Sequence, residues 1–266
     1  MALGIPIALP FRVHRAAFDP GTLFRNGEQG GWYDPSDMST LFQDAAGTTP
    51  VTALGQPVGR INDKSGRGNH LTQTTAASRP LWQQDAAGAF HLAFDGVDDF
   101  LTIGTFNMSA SDKVTVCAGL RKISATTAVA VELSAASTTN NGAFGIFAPD
   151  SAAQYTFASR GTLLAAASTV DAQFAAPHTG VVTGTGDIAA DGCRLAIGGI
   201  QRGITGSDQG TGNYGAAHPL FVGLRGGTTL PFNGNLYGLV IRGTGATTTQ
   251  IAALERYMAR QTGIAL

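Results

Sequence analysis

The sequence predicts an all-β fold, a two-sheet sandwich or a barrel, closed by one C-terminal helix. Thirty-six glycines in 266 residues, with many Thr, Ser and Ala and 43% apolar residues, suit short strands joined by tight turns, because Gly alone takes positive φ freely. Beyond Phe90, short apolar runs recur between Gly, Asn, Asp and Ser clusters, the spacing of strands and turns. A helical period stands out once, after Thr247. The length fits one large β domain with short extensions.

Residues 1–25 read as an extended arm. Pro6 and Pro10 prevent a helix, while Ile5, Ile7, Leu9 and Phe11 alternate onto one side. Such a side needs a cover, either the edge of its own domain or another subunit. A single domain then runs over 26–266. From Gly31 to Pro80 turn residues dominate: in "YDPSD" and "DKSGRGNH" the Asp and Ser side chains bond neighbouring amides, and Gly66 and Gly68 supply positive φ. Val58 to Ile61 fits a strand between such turns.

Strands are expected at 91–94, 100–103, 114–121, 128–133, 143–147, 155–159, 180–185, 194–197, 220–224 and 236–242. In "KVTVCAGLR" Val114, Val116, Ala118 and Leu120 share one face, with Lys113, Thr115 and Arg121 free to reach solvent. Cys117 and Cys193 lie in apolar alternating runs and read as free buried thiols. The helix covers 247–262. Thr247 and Gln250 form a capping box, Ile251, Leu254, Tyr257 and Met258 an apolar stripe, and Gly263 a stop, with Glu255 on the polar side.

Charged residues are 13% and the net charge is −1, which leaves no basic footprint for nucleic acid or an anionic membrane. The opening "MALGIPIALPFRVHRAAF" lacks the order of a signal peptide, and its prolines break it too early for a membrane helix. The three glutamates, Glu28, Glu132 and Glu255, are scattered, so the opposed carboxyl pair of a glycosidase is not expected. The five histidines do not recur at zinc-ligand spacings, and no G-x-S-x-G elbow occurs. No catalytic residue is predicted.

Two binding chemistries stay open. Trp32, Tyr33, Trp82 and Tyr214 are available to stack on a pyranose, and Tyr214 in "GTGNYG" is the most loop-like. "LAFDGVDDFLTI" gathers Asp95, Asp98 and Asp99. Its plainer reading is a strand, an Asp95-Gly96 hairpin turn and a second strand; the alternative is a calcium site completed by Asp63 or Asn69. The turn is preferred, because calcium needs six or more oxygens and no EF-hand Glu closes the segment.

Taken in order, "DKSGRGNHLTQ", "RPLW", "FDGVDDFLTI" and "FNGNLYGLVIR" before a capped helix resemble the concanavalin A-like proteins of the laminin G and pentraxin type. The stretch beginning "NGEQGGWYDPSDMSTLFQDAAGTTPV" is similar to a bacteriophage virion and tail-associated subgroup. The resemblance runs from Asn26 to the C-terminus and implies an antiparallel two-sheet jelly roll. It further implies a non-enzymatic structural protein on tail or capsid, assembled in the host cytoplasm and released by lysis, which explains the missing signal peptide. Other virion proteins, further copies of the chain and host-surface glycans are the partners it implies, with Ile5, Ile7, Leu9 and Phe11 suited to anchoring. Relatives of this kind include calcium-assisted lectins and polysaccharide depolymerases; this chain lacks the glycanase carboxylates.

Overall fold

The computed structural model describes residues 18–215 and 217–266. Its strands, in chain order, are β1 Gly30–Tyr33, β2 Leu41–Phe42, β3 Arg60–Ile61, β4 Leu71–Thr72, β5 Leu81–Gln84, β6 Phe90–Asp95, β7 Leu101–Ile103, β8 Lys113–Lys122 and β9 Val129–Leu133. There follow β10 Ala143–Phe147, β11 Gln154–Arg160, β12 Leu164–Val170, β13 His178–Asp187, β14 Gly192–Ile197, β15 Ile200–Thr205, β16 Leu220–Val222, β17 Asn233–Arg242 and the helix α1, Thr248–Thr262.

Two antiparallel sheets result. Sheet I has the order β15-β14-β13-β8-β17-β6-β5, with β1 added beside β17; sheet II has the order β12-β11-β10-β9-β16-β7-β4-β3-β2. β17 changes partner along its length, since Asn233 to Leu236 pair with β6 and Leu239 to Arg242 with β1. This is the predicted two-sheet sandwich with its C-terminal helix.

The inner faces form one core. Val114, Val116, Ala118 and Leu120 all enter it, as their alternation requires, and meet Phe144, Phe157 and Tyr155 from sheet II. On β13 the inward positions include Gly184 and Gly186. A Cβ at Gly184 would lie 2.1 Å from the Phe157 ring, and one at Gly186 2.0 Å from the Tyr214 hydroxyl. The strand spares side chains there so that the aromatic rings can fill the space.

A second core lies outside sheet I. Leu254, Tyr257 and Met258 of α1 pack on Cys117, Val181 and Val240. Thr247 caps the helix by the predicted reciprocal box with Gln250, and Gly263 ends it in the left-handed region at φ 71°. Leu23 and Phe24 join the same core from a 3-10 turn, Pro20–Phe24. The described end of the predicted arm is therefore folded, because Leu23 and Phe24 find an apolar surface beside Trp32. Ile5, Ile7, Leu9 and Phe11 lie outside the described residues. Both cysteines are free and buried, as expected.

Thr115 does not reach solvent. It is 1% exposed, and its hydroxyl accepts from the Ala246 amide at 3.1 Å, so the loop leading into α1 covers it. Gly184→Ala should place a methyl group against the Phe157 ring and destabilise the fold by about 1–3 kcal/mol, read as a fall in the urea midpoint at unchanged m-value.

Candidate functional site

The acidic corner is built differently from a hairpin. β6 pairs with β5 and β17 in sheet I, whereas β7 pairs with β16 and β4 in sheet II, so residues 95–100 carry the chain across the sandwich. Gly96 at φ 76° sits against Asn233 and makes the bend. Asp95 Oδ1 accepts from the Val97 amide at 2.8 Å and the Asp98 amide at 3.3 Å. Asp99 Oδ2 accepts from the Asp95 amide at 3.1 Å, and Asp98 Oδ2 from the Ser78 hydroxyl at 2.8 Å.

Because 96–98 bend rather than extend, adjacent Asp98 and Asp99 do not point to opposite faces. One carboxylate oxygen from each of Asp95, Asp98 and Asp99 lies within 4.8 Å of the other two, a spacing that oxygens touching a single calcium ion at 2.3–2.6 Å can adopt. The three-carboxylate donor set thus fits a hard divalent cation, with main-chain carbonyls and water needed to complete the shell. Asp63 and Asn69 take no part. Asp63 accepts from the amides of Trp32, Ser65 and Asn69, and Asn69 donates to the Gly30 carbonyl, which holds the 63–69 turn on β1. Burial, then the charges of Asp95 and Asp98, push the Asp99 carboxyl up to about 6.

The four aromatic candidates are core residues, which corrects their reading as sugar platforms; Tyr33 is 1% exposed and donates to the Asn69 carbonyl at 2.7 Å. Tyr214 is 0% exposed, with its hydroxyl 2.6 Å from Ser159 Oγ and its ring against Phe144. Trp82 stacks on Phe90 and donates from Nε1 to the Pro35 carbonyl at 2.9 Å. Trp32 is buried between Tyr257, edge-on to it, and Lys64, whose Nζ lies 4.6 Å from the ring centre. A stacking platform needs an open face, and these rings spend theirs on other side chains.

The glutamates have separate tasks. Glu28 pairs with Arg242 at 2.9 Å, and Glu132, fully buried, with Arg225 at 2.9 Å. Glu255 is buried too, which corrects its place on the polar side of α1. Burial raises its pKa, against a hydrogen bond with Thr183 and the charge of Arg256.

A concavity lies on the outer face of sheet I, and cross-strand register builds it. One row runs Thr115, Thr185, Arg194, Ile204 across β8, β13, β14 and β15; the next runs Cys117, Thr183, Ala196, Gln201. Helix α1 packs over β8, β17 and β13. It covers Cys117, the 244–246 loop covers Thr115, and the outer parts of both rows stay open. The result is a groove of two adjoining lobes, about 330 and 280 Å³, which share Thr185, Arg194, Thr248 and Ile251. Lys113, bonded to Asp187 at 2.6 Å, closes one end and Glu255 the other.

Sequence reasoning missed the groove. The outward alternation of Thr183, Thr185 and Asp187 was legible in "VTGTGD", but nothing local says which outward residues a helix will cover.

No protein-family model matches this chain, and no curated protein matches it. Among solved structures, the binding domain of botulinum neurotoxin serotype D superposes with a TM-score of 0.56 at 10% identity, over 77% of this chain and 50% of that one. The receptor-binding domain of type G gives 0.53 at 11% identity, over 78% and 50%. A structure of type C, whose uptake into cells depends upon interaction with two ganglioside molecules, gives 0.54 at 10% identity, over 78% and 51%. The chain thus spans about half the length of these neighbours.

Asp99→Asn keeps an acceptor for the Asp95 amide and removes the buried charge. The folded carboxyl holds its proton to about pH 6 and the unfolded one only to about 3.8, so Asp99 lowers stability progressively as pH rises from about 4 to 6, and the loss persists above. The variant should be more stable than the parent by about 1–2 kcal/mol at pH 8 and nearly equal at pH 4, measured by denaturant titration at both. At 10–11% identity the likeness to the neurotoxin domains is one of fold: this chain and those domains are built on the same kind of β-sandwich.

Proposed function

We propose that this chain is a non-enzymatic binding module that contacts glycans through the groove beside α1. The observation that carries the reading is the groove's lining: hydroxyls of Thr185 and Thr248, the Gln201 amide and the Arg194 guanidinium open onto one cleft, the groups that bond sugar hydroxyls. Ile251 and Ala252 offer an apolar flank to the ring's C–H face. The combined volume lies within the ~300–1,000 Å³ of small-ligand sites. Absence of catalysis is supported by the glutamates' structural tasks and by the Asp187–Lys113 pair, which leave no two free carboxyls opposed across the groove among the described residues. The ganglioside dependence of type C neurotoxin uptake supports the glycan reading by analogy of fold.

The motif series that resembles phage tail-associated proteins extends this reading to a virion appendage, present in several copies and joined to other virion proteins through residues 1–17. A second reading rests on the convergence of Asp95, Asp98 and Asp99 within 4.8 Å: calcium bound at the corner rigidifies the crossover between the sheets.

Thr185→Trp should fill both lobes and weaken binding of a glycan identified on an array by at least about tenfold, with little change in melting temperature; unchanged affinity would place the site elsewhere. Release of new reducing ends from the bound glycan would instead indicate a depolymerase. Deleting residues 1–17, which spares Leu23 and Phe24, should leave the fold intact and stop incorporation into particles; normal incorporation would remove the anchoring role. Calcium should raise the melting temperature of the parent and not of Asp99→Asn, and an equal response in both would exclude the corner as its site.

A further inference from the structure

Arg194 occupies the middle of the groove, lining both lobes. Its side chain is exposed, and its cross-strand neighbours are Thr185 and Ile204, neither of them acidic. The six ion pairs among the described residues use Lys64, Lys113, Arg225 and Arg242, and none uses Arg194. The acids near the groove are otherwise occupied. Asp187 and Asp112 both lie on Lys113, at 2.6 and 3.4 Å, and Glu255 is buried under α1 beside Thr183. The groove therefore carries one guanidinium without a partner, set among hydroxyls.

We propose that the groove receives a carboxylate-bearing sugar, its carboxylate gripped by Arg194 and its hydroxyls by Thr185, Thr248 and Gln201. This rests on the reading of the groove as a glycan site and names the class of glycan. A planar guanidinium presents two parallel N–H donors that match the two oxygens of a carboxylate. The charge count favours one carboxylate over a sulfated or phosphorylated chain: Lys113 is already neutralised by two aspartates, so the groove has a single positive charge to satisfy. The partly enclosed cleft strengthens such a contact relative to open water, and the Ile251 and Ala252 flank suits a pyranose better than a free inorganic anion.

The test is isothermal titration calorimetry on the full chain with two pairs of probes. One pair is an oligo-hexuronate and the same oligosaccharide with its carboxyls reduced to hydroxymethyl groups; the other is a sialylated oligosaccharide and its carboxyl-reduced form. In at least one pair the acid form should bind ten- to a hundredfold more tightly than the reduced form. Arg194→Gln should bring the two forms together at the affinity of the reduced one, and Arg194→Lys should recover only part of the difference, because it restores charge without the fork. Melting temperatures of both variants should match the parent, since Arg194 holds no partner in the fold. Equal binding of acid and reduced forms in both pairs would overturn the acidic-sugar assignment and leave the glycan reading standing. Displacement of the acid probe by millimolar inorganic phosphate, with no preference over the reduced form, would reduce Arg194 to a general anion contact and overturn it equally. Heat with none of the four probes and with no arrayed glycan would overturn both.

Discussion

The contact on which the rest of the molecule depends is that of two aromatic rings, Phe157 of sheet II and Tyr214 of the loop before β16, against bare backbone of sheet I. At Gly184 and Gly186 strand β13 offers no side chain, and Phe157 and Tyr214 occupy the space. Strand residues alternate between faces, so two inward glycines leave Thr183, Thr185 and Asp187 on the outward face of the same strand. The close approach that packs the core thereby sets the floor of the groove. A shift of register by one residue would drive threonines into the rings and turn glycines to solvent.

The outer layer over sheet I is held by a buried polar network. Asp34 Oδ2 accepts from the Tyr257 hydroxyl at 2.9 Å and from Lys64 Nζ at 3.2 Å, and Tyr257 in turn accepts from Trp32 Nε1 at 3.3 Å. Segments more than 200 residues apart in the chain thus meet at one carboxylate, and burying those groups is tolerable because each has a partner. Arg242 does the same at the end of β17, donating to the Leu23 and Gly245 carbonyls and to Glu28. This network helps seat the helix over β8, β13 and β17, and β14 and β15 lie beyond its edge. The groove is the boundary of that coverage.

The acidic corner holds three carboxylates where repulsion and burial oppose their charge, and the amides of Asp95, Val97 and Asp98 offset part of that cost. Its position between two sheets couples any charge change there to the packing of Phe94 and Leu101 on either side. The groove has a different electrostatic character. Its acids are paired or buried, and its one open charge is positive. The two sites share no lining residue, so the functions proposed for them are separable.

Local pattern alone determined much of this protein. The inward face of β8, the Thr247–Gln250 cap, the Gly263 stop and the free buried cysteines all follow from periodicity and capping chemistry, which act within a few residues. Strands with weaker patterns were not legible: β12 is rich in alanine, β15 interrupts its alternation with Gly203 at a bulge, and β5 is half polar. Tertiary structure decided what covers each outward residue. Thr115 is closed off by Ala246, 131 residues away, while Arg194, equally outward on its strand, stays open. The burial of Trp32, Trp82 and Tyr214 and the convergence of Asp95, Asp98 and Asp99 are of the same kind. Alternation assigns a side chain to a face, but exposure on that face depends on which distant segment packs there, and no short stretch of chain carries that information.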